Sequence, residues 1–137
     1  MKTPPLPAET DAPGTRLVMG DVFAIPCPSR EILAHVSSRW GVLILVSLLD
    51  GTHRFSELRR RMGGVSEKML AQSLKALVED GFVRRVSYPV VPPFVEYSLT
   101  PMGQEVAQRV AALKDWIETN LQRVLDSRRQ HEEAVAT

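Results

Sequence analysis

The chain has 137 residues, and its 17 Lys and Arg against 16 Asp and Glu give a formal charge of +1. That length suits one domain with one modest core. Its longest apolar stretch, 40–49, is about half of the roughly 20 residues that span a bilayer, so no membrane segment is expected. The N-terminus has Lys2 and several prolines but no apolar h-region, which argues against a secretory signal. The single cysteine, Cys27, excludes an internal disulfide framework and favours a reduced, cytoplasmic protein.

The two ends of the chain are expected to lie outside the folded domain. Residues 1–14 are rich in proline and predict a disordered tail, because such a segment cannot bury enough apolar surface to offset its chain entropy. Residues 15–28 are expected to form an amino-terminal arm, since 17–25 is apolar enough to dock as a short strand or extended segment. A second disordered tail is expected at 131–137.

Two helices are predicted after the arm. Pro26 and Pro28 flank Cys27 and argue against a helix at that point. Ser29 is therefore expected to cap the first helix. The second helix, over about 39–49, is apolar nearly all round, which is typical of a helix in the middle of a core.

A short helix, a tight turn and a capped helix follow. The short helix covers about 55–62, and the Gly-Gly-Val segment 63–65 forms the turn. Ser66 is expected to cap a longer helix that ends at Asp80. Four apolar residues of this longer helix recur at helical spacing and predict its buried face: Leu70, Leu74, Leu77 and Val78.

The periodicity then changes from helix to strand. Residues 82–88 and 94–99 predict two strands rich in Val, Phe and Tyr, and the proline-rich loop 89–93 joins them as a hairpin. Thr100 is expected to cap a last helix that begins at Pro101 and continues to about Arg129.

This order of elements predicts an α+β fold that is mainly α. We expect a winged helix-turn-helix domain over 29–100 with a two-stranded β wing, followed by a long dimerisation helix over 101–130. Charge supports DNA as the partner, because 54–85 holds eight basic and four acidic residues, a net +4. The rest of the chain carries −3, so the positive charge is concentrated in the segment that would meet a polyanion.

Candidate DNA-contacting residues form two groups. The longer helix, over 66–80, is the expected recognition helix of this domain. Polar side chains on its outward face are expected to contact base edges in the major groove: Ser66, Lys68, Gln72, Ser73 and Lys75. Arginines before and after this helix are expected to contact the phosphate backbone: Arg54, Arg59, Arg60, Arg61, Arg84 and Arg85.

The last helix predicts a homodimer. At 1.5 Å per residue it would be about 40 Å long, more than so small a domain can cover from end to end. Its apolar stripe is the expected dimer interface: Val110, Leu113, Trp116, Ile117, Leu121 and Val124. A two-fold dimer would place two recognition helices roughly 34 Å apart on a pseudo-palindromic operator of double-stranded DNA.

Nothing in the sequence predicts an enzyme, a cofactor or a metal site. The chain has no phosphate-binding glycine loop, no HExxH or GxSxG motif, and no cluster of His, Cys and acidic residues at ligand spacing. An alternative to DNA binding is a protein-interaction module that uses the apolar wing, with Val90, Val91 and Phe94, and the long helix as contact surfaces. Salt-dependent binding to duplex DNA distinguishes the two hypotheses.

Three stretches resemble a known family: CPSREILAHVSSRWGVLILVSLLDG (27–51), RFSELRRRMGGVSEKMLAQSLKALVEDGFVRR (54–85) and YPVVPPFVEYSLTPMG (88–103). Together they closely resemble the HxlR-type winged helix-turn-helix regulators, which are relatives of the MarR-like group, and the resemblance covers about 27–117. It implies a homodimeric bacterial transcriptional regulator that acts as a repressor or an activator.

The resemblance also concerns Cys27 and the wing tip. Some family members respond to electrophiles or oxidants through a cysteine at this position, which makes Cys27 a candidate redox sensor and a small electrophile or oxidant a candidate effector. The alternative is that Cys27 is a small packed residue between two prolines. Family members often carry Arg, Lys or His at Phe94 and an acidic residue at Val90. The tip is uncharged here, so strong phosphate binding by the tip itself is not expected.

Overall fold

The computed structural model describes residues 21–23, 25 and 27–136, so the tail expected at 1–14 and most of the arm at 15–28 lie outside the described residues. The elements in chain order are α1 (Pro28–Ser37), α2 (Arg39–Leu48), β1 (His53–Arg54), α3 (Phe55–Arg61), α4 (Glu67–Glu79), β2 (Val83–Tyr88), β3 (Phe94–Leu99), α5 (Pro101–Thr119) and α6 (Leu121–Ala136). This order confirms the predicted α+β, mainly α, winged helix-turn-helix architecture.

Helix α1 begins two residues earlier than the sequence predicted. Cys27, not Ser29, is the N-cap, and Pro28 is the first helical residue. Proline is tolerated there because the first backbone N–H of a helix has no intrahelical partner to lose. The Cys27 carbonyl accepts from the backbone N–H of Arg30 at 3.1 Å and of Glu31 at 3.4 Å, so the turn closes without a side-chain cap.

The sheet has three strands rather than the two expected. All pairs are antiparallel in the order β1-β3-β2, so β3 is central. The added strand β1 pairs His53 with Tyr97 and Arg54 with Glu96. Two residues are too few to show the alternation by which a strand is recognised in sequence, so this strand could not be predicted.

Helix α2 lies in the middle of the core, as its all-round apolar sequence predicted. It packs against α1, α4 and α5. The largest fully buried side chains come from α2 and from α3 and α4, the two helices of the helix-turn-helix unit: Ile44, Leu45, Leu48, Leu58, Leu70, Leu74 and Leu77. Burial of each contributes roughly 1.5–3 kcal/mol relative to exposure. The core therefore fixes the orientation of α3 and α4.

The junction between the wing and α5 is close-packed. The Thr100 hydroxyl accepts from the N–H of Gly103 at 2.9 Å and donates to the carbonyl of Gly81 at 2.6 Å. Gly103 lies against the backbone of Phe82, whose carbonyl oxygen a Cβ at position 103 would overlap. The chain therefore needs glycine where α5 crosses the start of the wing.

The single last helix expected over 101–129 is instead two helices. Helix α5 ends at Thr119. Its C-cap, Asn120, leaves helical geometry (φ −106°, ψ 14°) and donates from its side-chain amide to the Trp116 carbonyl at 2.9 Å. Helix α6 then continues to Ala136, so the tail expected at 131–137 is helical through that residue. Taken singly, no helix of the described ranges is long and apolar enough to cross a membrane; α1 and α2 reach that length and composition only as a pair bent by 70°.

Candidate nucleic-acid interface

Helix α4 has the two faces that a recognition helix needs. The Ser66 side chain caps it by accepting from the Met69 backbone N–H at 3.1 Å. Its back is buried through three leucines that are at most 1% exposed: Leu70, Leu74 and Leu77. Lys68, Gln72 and Lys75 lie on the exposed side. The helix therefore presents two cations and one amide to solvent from a rigid position in the core.

Ser73 differs from the other polar residues predicted to contact bases. It is half-buried and lines a shallow cavity of about 180 Å³ between α4 and α1, together with Ala34 and His35. Gln72 also lines this cavity, but its side chain is exposed. Ser73 is thus turned toward α1, whereas the helical period places Lys68 and Lys75 on the opposite side.

Two of the three consecutive arginines of α3 form exposed ion pairs. An Nη atom of Arg59 lies 3.2 Å from Glu67, and an Nη atom of Arg61 lies 2.7 Å from Asp50. Arg60 is exposed and forms no ion pair with any residue that the structure describes. Exposed pairs of this kind contribute at most about 1 kcal/mol, so a phosphate could displace the acidic partner of Arg59 or Arg61.

The two arginines of the wing point to opposite faces of the sheet. Arg84 lies opposite Ser98 and Arg85 lies opposite Tyr97 in the antiparallel register. Successive side chains of a strand alternate between faces. Arg85 therefore shares the face of the buried Tyr97, and Arg84 shares the outer face, although both side chains are exposed.

An aromatic and cationic stack on the outer face of the sheet was not foreseen from the sequence. The guanidinium carbon of Arg54 lies 3.8 Å from the centre of the Phe94 ring. The Tyr88 ring stacks on Phe94 with centroids 4.7 Å apart and an interplanar angle of 20°. A hydrogen bond to the Glu96 carboxylate, together with the negative charge of that group, raises the pKa of Tyr88 above its ordinary value. Only strand pairing brings these four residues together.

An exposed apolar face runs along α5 and α6. Four of the six residues predicted for the dimer interface are 46–58% exposed: Leu113, Trp116, Ile117 and Leu121. Val124 is half-buried. Val110 is the exception, because it is only 8% exposed and belongs to the core of its own domain. The apolar stripe predicted from the sequence therefore contains one residue that faces the core, Val110, and a row of residues that faces solvent.

Cys27 is buried, at 7% exposure, while Phe23 and Ile25 of the preceding segment are 86% and 80% exposed. Among the described residues no group of His, Cys, Asp and Glu is arranged to hold a metal ion. A polar contact that the sequence did not reveal joins His35 of α1 to Asp80, the C-cap of α4, with Nδ1 and Oδ2 2.6 Å apart.

The fold and the exposed face of α4 place this protein in the class of winged helix-turn-helix, DNA-binding transcriptional regulators. The chain belongs to the HxlR-like helix-turn-helix family, whose model matches residues 35–125. This confirms the resemblance found in the sequence.

Three known proteins illustrate the similarity. The "Uncharacterized HTH-type transcriptional regulator YtfH" of Escherichia coli is 69% identical over 110 residues, which are 80% of this chain and 87% of that protein. The solved structure of the putative transcriptional regulator ytfH from Salmonella typhimurium is 73% identical, with a TM-score of 0.79, covering 80% of this chain and 98% of that one. The redox regulator HypR in its reduced form is 37% identical, with a TM-score of 0.65, covering 73% and 98%.

Proposed function

We propose that this protein is a non-enzymatic, homodimeric regulator that binds a pseudo-palindromic operator of double-stranded DNA in the cytoplasm. The observation that carries the proposal is that α4 has one buried apolar face and one exposed polar face. Three fully buried leucines hold its back, while Lys68, Gln72 and Lys75 are exposed on the other side. Lysine can pair with guanine and glutamine with adenine in the major groove. Ser66 lies at the amino-terminal end of the same helix, where backbone N–H groups favour phosphate.

The arginines around α4 supply the sequence-independent part of binding. Arg59, Arg60 and Arg61 lie on the helix that precedes the recognition helix, and Arg84 lies on the outer face of the wing. Charge-assisted contacts to phosphate position a protein on the duplex, whereas the recognition helix selects the sequence. Ser73 is left out of the base-contacting set because it is turned toward α1.

The apolar face of α5 and α6 supports the homodimer. Leu113, Trp116, Ile117 and Leu121 are large apolar side chains that remain about half exposed in one chain. A contiguous row of this kind favours a partner surface, and a second copy provides one through two-fold symmetry. Two recognition helices would then lie roughly one turn of DNA apart.

The test is selection of DNA from a library of random duplexes by the purified full-length protein, followed by binding assays at several salt concentrations. We expect a selected sequence with two-fold symmetry, and an affinity that falls steeply as salt rises. Binding without sequence preference would contradict the operator. The absence of salt-dependent binding would favour the alternative, a protein-interaction module that uses Val90, Val91 and the long helices.

We also infer that Cys27 carries a response to an oxidant or an electrophile. The support is the similarity to HypR, a redox regulator solved in both its oxidized and reduced forms, and the place of Cys27 at the N-cap of α1. With one cysteine per chain, a disulfide must join two subunits or a small thiol. Two Cys27 thiols would transfer two electrons and two protons to an oxidant such as diamide, forming one S–S bond.

The burial of Cys27 makes this reaction depend on local opening of the segment before α1. The experiment compares DNA binding by the wild type and by Cys27→Ser, each with and without diamide. A loss of affinity in the wild type alone is expected. Equal responses of the two proteins would leave Cys27 as a packed structural residue.

A further inference from the structure

The outer part of the wing carries no charge of its own. Residues 86–95, from the second half of β2 through the hairpin loop to the start of β3, include no Lys, Arg, Asp or Glu. Arg84 and Arg85 lie at the base of the hairpin, opposite Ser98 and Tyr97, far from the loop along the strand. A wing that contacts the phosphate backbone therefore needs a cation from elsewhere in the domain.

Arg54 provides that cation from the neighbouring strand. Its backbone pairs with Glu96 in the middle of β3, but its guanidinium lies over Phe94, the first residue of β3 after the loop. Phe94 is in turn stacked on Tyr88, the last residue of β2. The two rings form a platform at the outer end of the wing, and the platform holds the Arg54 side chain there.

The charge of Arg54 is not neutralised at this place. Glu96 pairs with Arg54 in the strand register, and the Glu57 carboxylate accepts a hydrogen bond from the Arg54 backbone N–H at 2.7 Å. Within the described part of the chain, Arg54 has no ion pair shorter than 4.0 Å, and it is exposed. Stacking uses the face of a guanidinium, so its N–H donors remain available in the plane of the group.

An open groove lies beside the guanidinium. Arg54 and Ser56 line it on one side and Pro92, Pro93 and Phe94 on the other, with a volume of about 440 Å³. None of the described residues that line this groove carries a carboxylate. A planar guanidinium matches the two oxygens of a phosphate through paired N–H donors.

We propose that Arg54 is the phosphate-binding group of the wing and that Phe94, supported by Tyr88, is the residue that positions it. This proposal rests on the proposed DNA-binding function and adds a role for two aromatic residues that do not themselves contact phosphate. Arg54 is thereby set apart from Arg59, Arg60 and Arg61, which lie on α3 and are held by no aromatic platform.

The test measures binding of the full-length protein to a fluorescein-labelled duplex of mixed sequence and about 30 base pairs, long enough for two half-sites. Arg54→Ala should weaken binding by about tenfold and reduce the slope of log K against log salt by about 0.9 per site. Phe94→Leu should weaken binding by about two- to fivefold, the range of an exposed cation–π contact. Phe94→Tyr retains an aromatic face and should restore wild-type binding.

Two further variants separate positioning from a general effect on the wing. Arg54→Ala combined with Phe94→Leu should bind no more weakly than Arg54→Ala alone, because Phe94 acts only through Arg54. Val86→Ala removes a different exposed side chain of the same outer face and should leave binding unchanged. In the DNA-free protein, the Arg54 Nε–H resonance should show a ring-current shift in the wild type and in Phe94→Tyr that is lost in Phe94→Leu.

Several outcomes would overturn the proposal. If the wild type binds DNA with a salt-dependent affinity and Phe94→Leu binds equally well, the positioning role is wrong while the proposed function stands. Tighter binding by Phe94→Leu would mean that the stack holds Arg54 away from DNA, which also contradicts it. If the wild type shows no salt-dependent binding, the proposed function itself fails and the role of Arg54 fails with it. Absence of the ring-current shift in the wild type would refute the stack independently of DNA.

Discussion

The imidazole of His35 and the carboxylate of Asp80 are joined by a contact of 2.6 Å between Nδ1 and Oδ2 across 45 residues of sequence. His35 is near the end of α1 and Asp80 is the C-cap of α4, and the two side chains are 27% and 14% exposed. The contact fixes α1 relative to the carboxyl end of the recognition helix. A displacement of α1 would therefore also displace the carboxyl end of α4.

Removing either partner of this contact should destabilise the domain. We expect His35→Ala and Asp80→Ala each to lower the free energy of unfolding by about 1 kcal/mol, because a partly buried polar group loses its partner. The double variant should lose less than the two single effects added together. Urea denaturation measures all three, and Glu79→Ala, an exposed neighbour on α4, is the matched control. Strict additivity would show that the contact contributes nothing.

Gly103→Ala should be strongly destabilising, by about 3 kcal/mol, because the added methyl group overlaps the Phe82 carbonyl oxygen and would push α5 away from the wing. Gly63→Ala is the matched control, since an added Cβ there has no atom within 4 Å and the position has no left-handed φ. Thermal unfolding of the two variants should separate them clearly. Similar midpoints would mean that α5 can move without cost.

Gln72→Ala should relax specificity at one base step of the selected operator, by about 1–3 kcal/mol if the amide pairs bidentately with adenine. Arg60→Ala should instead weaken binding to all sequences and reduce the salt slope. Gln108→Ala changes an exposed glutamine on α5 and serves as the control. Competition binding with single-base operator variants measures the effect. If Lys68→Ala combined with Gln72→Ala leaves affinity and preference unchanged, α4 is not the recognition helix.

Ile117→Glu should convert the dimer to a monomer, since it places a charge within the exposed apolar row of α5. Light scattering at micromolar concentration measures the mass, and DNA affinity should fall with it because two half-sites can no longer be contacted together. Gln104→Glu adds the same charge at an exposed position near the start of α5 and should remain dimeric. A wild-type protein that is already monomeric would contradict the assembly.

Local sequence patterns were sufficient to predict most helix and strand boundaries. Ser66 and Thr100 cap the helices they were predicted to cap, and Phe94–Leu99 is the strand that its β-branched and aromatic residues indicated. The buried face of α4 follows the leucine spacing. Each of these features depends on residues within one or two turns of one another, so the physical cause is present in the local sequence.

Other features needed contacts between distant parts of the chain. Strand β1 exists because β3 offers it an edge, and the stack of Arg54 on Phe94 follows from that pairing. Val110 follows the apolar spacing of α5 like its neighbours, but packing against α2 decides that it faces inward. Periodicity specifies which residues share one face of an element; only the tertiary structure decides what that face packs against.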